Sequence, residues 1–323
     1  MTKMNLKNVL FLILRIVFLT FISALTALPF IWMVCSALKP SAEVMESASF
    51  LPSQIEWSNI TSVLTESPIP SYIFNTMWIS LLIVALQVVT SAMLAYALVF
   101  MEFKGKNKIF MIVMATYMLP VAATYIPSYI ILSHMKLLNT FTGIIISSTV
   151  STFGVFLLRQ GFMQIPKSLV EAARMDGSNH WEILWHIVCP VTKSSFVTLG
   201  LMSFISTYNN YMWPSLITND SKYYLVSQGL RAFFIEGGAY GTNWGIGYGC
   251  ECHHYCSIAC LICVDREMVC EWNWWRNRCK RIRKTAKLPF FTILFLTIGH
   301  RLVALFMSSL CFITFQVKIS IMC

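Results

Sequence analysis

Five stretches of this chain are long and apolar enough to cross a lipid bilayer, at about residues 16–37, 74–101, 109–132, 141–158 and 196–213. A bilayer core of about 30 Å needs roughly 20 apolar residues in a helix. Hydrocarbon offers no partners to backbone N–H and C=O groups, so runs of this length and simplicity read as helices that satisfy themselves. The fold class is therefore an all-α polytopic membrane protein. Only 12% of the residues are charged, against about 25% in a soluble domain. That excludes disorder and argues against a soluble enzyme. The net charge of +10 could suggest nucleic acid, but the basic residues sit at the ends of apolar runs and in short loops. Membrane lipid, with no nucleic acid, is the expected setting.

Lys and Arg in short loops set the orientation. Lys104, Lys106 and Lys108 fall between runs two and three, and Arg159, Lys167, Arg174 and Lys193 between runs four and five. Both loops, and the N-terminus with Lys3 and Lys7, are expected on the cytoplasmic side of the cell membrane. Segment 38–71 carries one Lys and four Glu (Glu43, Glu46, Glu56, Glu66) and is expected outside. The first run continues through Pro29-Phe30-Ile31-Trp32 with no small-residue cleavage site, so it reads as a retained span rather than a signal peptide. Pro120 and Pro127 in run three are compatible with a kink or with a gating role.

The loop after run four, about 161–190, has the most specific pattern. Ser168 with Glu171 three residues on reads as a capping box, predicting a short helix from Ser168. Ala172 and Ala173 favour helix and leave a thin face open to close approach. Asp176-Gly177 ends the helix, with Gly as a left-handed cap. A second amphipathic helix follows, with Trp181, Leu184, Trp185 and Val188 at helical spacing, and Pro190 closes it. A helix–turn–helix that exposes small residues is a docking element, not a catalytic one.

Glu171-Ala172-Ala173, Gly177 after three intervening residues, then Ile187 and Pro190 resemble the EAA loop of permease subunits of binding-protein-dependent ABC importers. Other stretches look like the carbohydrate branch, the relatives of the maltose and sn-glycerol-3-phosphate permeases. They are Leu119-Pro120 with Ile126-Pro127, Leu137-Leu138-Asn139-Thr140, and Asn209-Asn210-Tyr211-Met212-Trp213-Pro214. The resemblance covers about residues 10–247. It implies a six-span, MetI-like permease core that is not itself an enzyme and holds no cofactor. Glu171, Ala172, Ala173, Asp176, Gly177, Ile187 and Pro190 would couple it to a separate ATP-binding subunit dimer. A second permease subunit and an extracytoplasmic solute-binding protein would complete the importer, with a sugar, oligosaccharide or glycerol phosphate as solute. The chain has no G-x-x-x-x-G-K-[ST] phosphate loop, which fits a subunit that borrows its motor.

Asn209, Asn210, Tyr211 and Trp213 suit a path for hydroxyl-rich solutes, and equally an interfacial aromatic belt. Gln87 in run two reads more readily as an interhelical hydrogen bond than as a solute contact. A membrane enzyme would place His, Asp or Glu within the spans. Apart from Arg15 at an edge, the five runs hold no charged residue. A secondary transporter remains the alternative, although no clear internal repeat supports it.

The sixth span is missing where it is due. After Trp244 the chain reads Gly247-Tyr-Gly-Cys-Glu-Cys-His-His-Tyr-Cys256, and nine of the 11 cysteines follow Gly247. The cysteine spacing, with Cys260 and Cys263, does not match paired zinc ligands, so no metal is expected. The genetic code offers another account. If the codons from Tyr248 onward are read one base later, every Cys codon becomes Val or Ala and His codons become Ile or Thr. Met268 is forced to Trp, and Trp272, Trp274 and Trp275 are forced to Gly. The frame can open Met-Ala-Ala-Ser-Val-Ile-Thr-Ile-Val-Pro, and Ile282 can become a stop. This apolar span resembles the sixth span of the carbohydrate permeases. The expectation is a permease domain over 1–247 with five spans intact. An out-of-frame tail over 248–323 would replace the sixth span, and the apolar run 288–315 would be accidental. A permease so truncated could be inactive.

Overall fold

The computed structural model describes residues 6–46, 49–65, 67–236 and 244–256. Cys260, Cys263, the run 288–315 and the rest of 257–323 lie outside the described residues. Among the described residues every regular element is helical.

Two helices are long and apolar enough to cross a bilayer without a break. The first, α1 (Leu6–Ala37), is apolar and turns Val17, Phe18, Phe21, Leu25 and Leu28 outward, and it is buried only near its C-terminal end, at Met33, Ser36 and Ala37. A helix so exposed is suited to lipid, not to a protein core. Short helices α2 (Ser41–Glu46) and α3 (Ser58–Thr65) come next. They lead to α4 (Ile69–Phe100), which begins behind Pro68 and is 32 residues long. It is the hub, and the later helices α8, α11 and α13 pack against it.

The other three runs are broken. Run three becomes α5 (Lys106–Tyr117) and α6 (Val121–His134), bent by 100°. Pro120 is the N-cap of α6, with extended backbone (ψ 126°), so the chain leaves helix there entirely. The break is far larger than a proline kink, while Pro127 lies inside α6. Run four is α7 (Phe141–Ser147) and α8 (Thr152–Phe162), bent by 44°. The carbonyls freed at that joint are taken up by a polar row on α4. Gln87 Nε2 donates to Ser148 O at 2.7 Å, Thr90 Oγ1 to Thr149 O at 3.0 Å and Ser91 Oγ to Ser151 O at 3.4 Å. Gln87 thus makes an interhelical bond, which closes a broken helix at membrane depth.

After α8 come α9 (Lys167–Met175) and α10 (His180–Val191). Then α11 (Lys193–Tyr208) leaves α10 at 85°. Helices α12 (Met212–Ile217) and α13 (Val226–Glu236) precede α14, residues 244–256. The sequence suggests no span at 247–256, yet the structure draws a helix there. Gly245 and Gly249 let it press on Asn59 and Val63, Tyr248 packs edge-on to Trp32, and Tyr255 packs edge-on to Phe30. Cysteine and tyrosine are apolar enough to fill such a seam, which a reading centred on metal-type residues overlooks.

Two apolar clusters hold the bundle together at its two ends. One joins Ala92, Ala95, Tyr96 and Phe100 of α4 to Leu158 and Phe162 of α8, Leu199 of α11, and the loop residues Val170, Ala173, Ile183, Leu184 and Val188. The other gathers Ile79, Ile83, Leu132, Ile144, Trp213, Ile217 and Leu225.

Candidate coupling surface and solute path

The 161–190 loop is a helix, a tight turn and a second helix, as its sequence predicts, but the caps differ. Helix α9 starts one residue early, at Lys167. Its N-cap is Pro166 (φ −59°), and no side chain caps it. Ser168 is therefore already helical, and the expected Ser168–Glu171 box does not form. Proline's missing N–H costs nothing at that position, so it can begin the helix unaided. The box forms instead at the second helix, where Glu182 accepts from the backbone N–H of Asn179 at 2.9 Å. One consequence is that Glu171 has no capping role and stands exposed.

The turn closes as a Schellman motif. Gly177 has φ +83°, its N–H donates to Arg174 O, and the N–H of Ser178 donates to Ala173 O, each at 3.0 Å. Such a φ is open to glycine at little cost.

Val170 and Ala173 turn inward, at 3% and 6% exposure, while Glu171, Ala172 and Asp176 face out. The outward surface is thus thinner than the sequence suggests, with Ala172 on it and Ala173 in the core. Within α10, residues Ile183–Val188 form a π-turn. Pro190 comes just after it, lacking an N–H and crowding the carbonyl four residues back, and a widened turn relieves both. The wider period puts Ile183, Leu184 and Val188 in the core, leaves Ile187 and Trp185 packed against it, and exposes Trp181, His186 and Pro190.

The 209–213 residues do not act as one group. Trp213 is buried, its Nε1 donates to Ser147 Oγ at 2.8 Å, and its ring stacks on Tyr125 at 5.5 Å. It knits α12 to α6 and α7. Asn209 is exposed. Its Nδ2 donates to Ile205 O at 3.0 Å, and its Oδ1 lies 3.3 Å from His254 Nε2. Asn210 and Tyr211 are half-buried, and the exposed Arg231 guanidinium lies 5.2 Å from the Tyr211 ring centre. Sequence reasoning passes over Arg231, since it lies in the stretch after run five that the span pattern leaves unassigned.

After α1, Glu43 accepts from Ser53 Oγ at 2.6 Å, from the Ser53 N–H at 3.2 Å and from Ser49 Oγ at 3.2 Å. The Ser53 hydroxyl is the main reason its carboxyl titrates below the usual value. Buried Lys39 donates through Nζ to Ser49 O, and Asn59 binds the carbonyls of Ala37 and Lys39. Residues 38–46 and 49–59 therefore form a folded cap on the end of α1. Among the described residues no three His, Cys, Asp or Glu side chains are grouped to hold a metal.

Comparison with known proteins agrees with this geometry. The family model described as binding-protein-dependent transport system inner membrane component matches residues 5–264. The arabinooligosaccharides transport system permease protein AraQ of Halalkalibacterium halodurans is 29% identical over 230 residues, 70% of this chain and 81% of that protein. The sn-glycerol-3-phosphate transport system permease protein UgpE of Yersinia enterocolitica is 30% identical over 217 residues, 65% of this chain and 77% of that protein. The lactose transport system permease protein LacG of Rhizobium radiobacter is 28% identical over 200 residues, 61% and 73% of the two chains. In fold, the chain is similar to a solved bacterial ABC transporter involved in the import of the acidic polysaccharide alginate. The TM-score is 0.74 at 22% identity, covering 83% of this chain and 99% of that one. The chain belongs to the family of binding-protein-dependent transport system inner membrane components, as a multi-pass permease subunit of such an importer.

Proposed function

We propose that this permease passes a sugar, an oligosaccharide or a glycerol phosphate and is driven through α9. An ATP-binding subunit dimer would contact the outward face of α9, with Glu171 as its polar group and Ala172 and Gly177 allowing close approach. Asp176 would hold the turn, and Ile187 and Pro190 would seat it. A second permease subunit would complete the path and a solute-binding protein would deliver to the outer face, with the N-terminus and the 161–190 loop cytoplasmic. Asn209, Asn210 and Tyr211 would meet the solute. Trp213 would shape the path from behind, since its N–H already serves Ser147.

The observation that carries the coupling reading is the two-faced α9. Val170 and Ala173 anchor it in the same cluster as α4, α8 and α11, while Glu171 and Ala172 stand outside with no capping role. A photo-crosslinking residue at Ala172, in the importer reconstituted with its ATP-binding subunit, tests it. Crosslinks to that subunit support the reading, and crosslinks only to lipid or to the second permease refute it. Competition of uptake by arabino-oligosaccharide, lactose and sn-glycerol 3-phosphate identifies the solute.

We also propose that codons 246–248 contain a one-base insertion and that residues 248–323 are read out of frame. The codon arithmetic supports this: a reading one base later forces Trp272, Trp274 and Trp275 to Gly and Met268 to Trp, and it removes Glu251, His253 and His254, groups that are costly within a span. Resequencing codons 240–285 decides between a working sixth span ending near residue 282 and a damaged permease.

A further inference from the structure

The turn that carries Glu171 is fastened to one helix of the bundle by side chains the docking face does not use. Arg174, in the last turn of α9, donates through Nη2 to the carbonyl of Phe100 at 3.0 Å. Phe100 is the last residue of α4. Carbonyls in that last turn have no partner within their own helix, and the helix dipole concentrates negative charge there. A guanidinium on such a carbonyl makes a charge-assisted bond. One turn earlier on α4, the hydroxyl of buried Tyr96 lies 3.0 Å from Nδ1 of His180, the first residue of α10. The two rings meet edge to face at 5.9 Å. The helices on both sides of the Gly177 turn are thus tied to the last two turns of α4. The apolar contacts between the loop and the bundle are non-directional, and can slide. These polar bonds fix both position and direction.

We propose that Arg174, Tyr96 and His180 form a latch that delivers a displacement of the docking turn to α4. From there it would spread to α8, α11 and α13, which pack against α4. The three are positioning residues: they act through α4 and touch neither nucleotide nor solute. The proposal rests on the reading of α9 as the contact for the ATP-binding subunit. Its test must separate loss of that contact from loss of transmission.

Hydrogen exchange of the full chain, in nanodiscs with the importer's ATP-binding subunit, makes the separation. Exchange is followed in α9 and in residues 97–105, before and after addition of ATP with orthovanadate. In the wild type both regions change rate together. In Arg174→Ala and in Tyr96→Phe, α9 still responds, while the response of 97–105 shrinks by about tenfold, within the usual range of coupling between sites. Arg174→Lys, which keeps a cationic donor, retains part of the response. The latch is overturned if both regions respond in Arg174→Ala and Tyr96→Phe as in the wild type. It is also overturned if both variants lose the α9 response, because the side chains then merely hold the docking turn together. If α9 never responds, even in the wild type, the docking reading itself fails and the latch falls with it.

Discussion

Replacing Gly154 by alanine tests how tightly the central helices meet. Gly154 lies in the first turn of α8, where that helix crosses α4 and α11. A Cβ there would stand 2.6 Å from Ser91 Oγ, 2.9 Å from Leu199 Cδ1 and 3.2 Å from Ser151 Cβ. Relaxed contacts lie at about 3.5–4.0 Å, so the Ser91 and Leu199 side chains, or the helices that carry them, have to shift by roughly 1 Å where small residues let the helices touch. Overpacking of that kind costs about 1–3 kcal/mol. Alanine also gains about 1 kcal/mol over glycine inside a helix, which would mask part of the loss. Gly200 on α11 supplies the control, because a Cβ there meets nothing within 4 Å. Gly200→Ala collects the helix gain alone. The difference between the two variants is then the overpacking cost, about 1–3 kcal/mol against Gly154→Ala. Unfolding of the purified protein in mixed micelles with rising SDS measures it. Equal midpoints for the two variants would refute the claim that these helices are in contact at Gly154.

Gln87→Leu strips the Ser148 carbonyl of its partner and should destabilise the protein by about 1 kcal/mol in the same SDS assay, since such bonds in membranes are worth little more. Gly177→Ala meets no steric obstacle but forces a side chain into left-handed backbone, at about 1–2 kcal/mol; limited proteolysis should cut first at 176–178. Glu43 titrates below its usual value of 4.5 because Ser53 and Ser49 donate to its ionised form. Its contribution is complete above pH 4.5 and is lost as the pH falls through the lower folded value. Hydrogen exchange over 38–57 should therefore quicken on acidification, and Glu43→Gln should remove that acid dependence while leaving the segment less protected at neutral pH.

The loop with Glu171 shows how far sequence reading reaches. Its two helices and the Gly177 turn are local matters of propensity and backbone geometry, and they stand where the pattern puts them. The N-cap of α9 is misjudged from sequence because Ser168–Glu171 has the spacing of a capping box, whereas Pro166 starts the helix one residue before Ser168. Ala172 and Ala173 look alike in sequence, and only the packing of α9 on Phe100 and Phe162 sends one in and the other out. The same holds for the 209–213 group, in which Trp213 leaves the path for a hydrogen bond to Ser147, 66 residues away. Arg174 is legible as a basic residue near a helix end, but the carbonyl it serves lies 74 residues earlier.

The sequence alone determined the lipid setting, the five apolar runs, the family and the loop with its turn. Each comes from apolar length, charge placement or local backbone chemistry, which need no knowledge of neighbours. Tertiary structure decided where the runs break, as at Pro120 with its 100° bend and at the Ser148–Ser151 joint. A chain can leave helical geometry inside a membrane only where another segment takes up its carbonyls. At the Ser148–Ser151 joint that segment is α4, and nothing in run four itself announces that Gln87, Thr90 and Ser91 stand ready beside it.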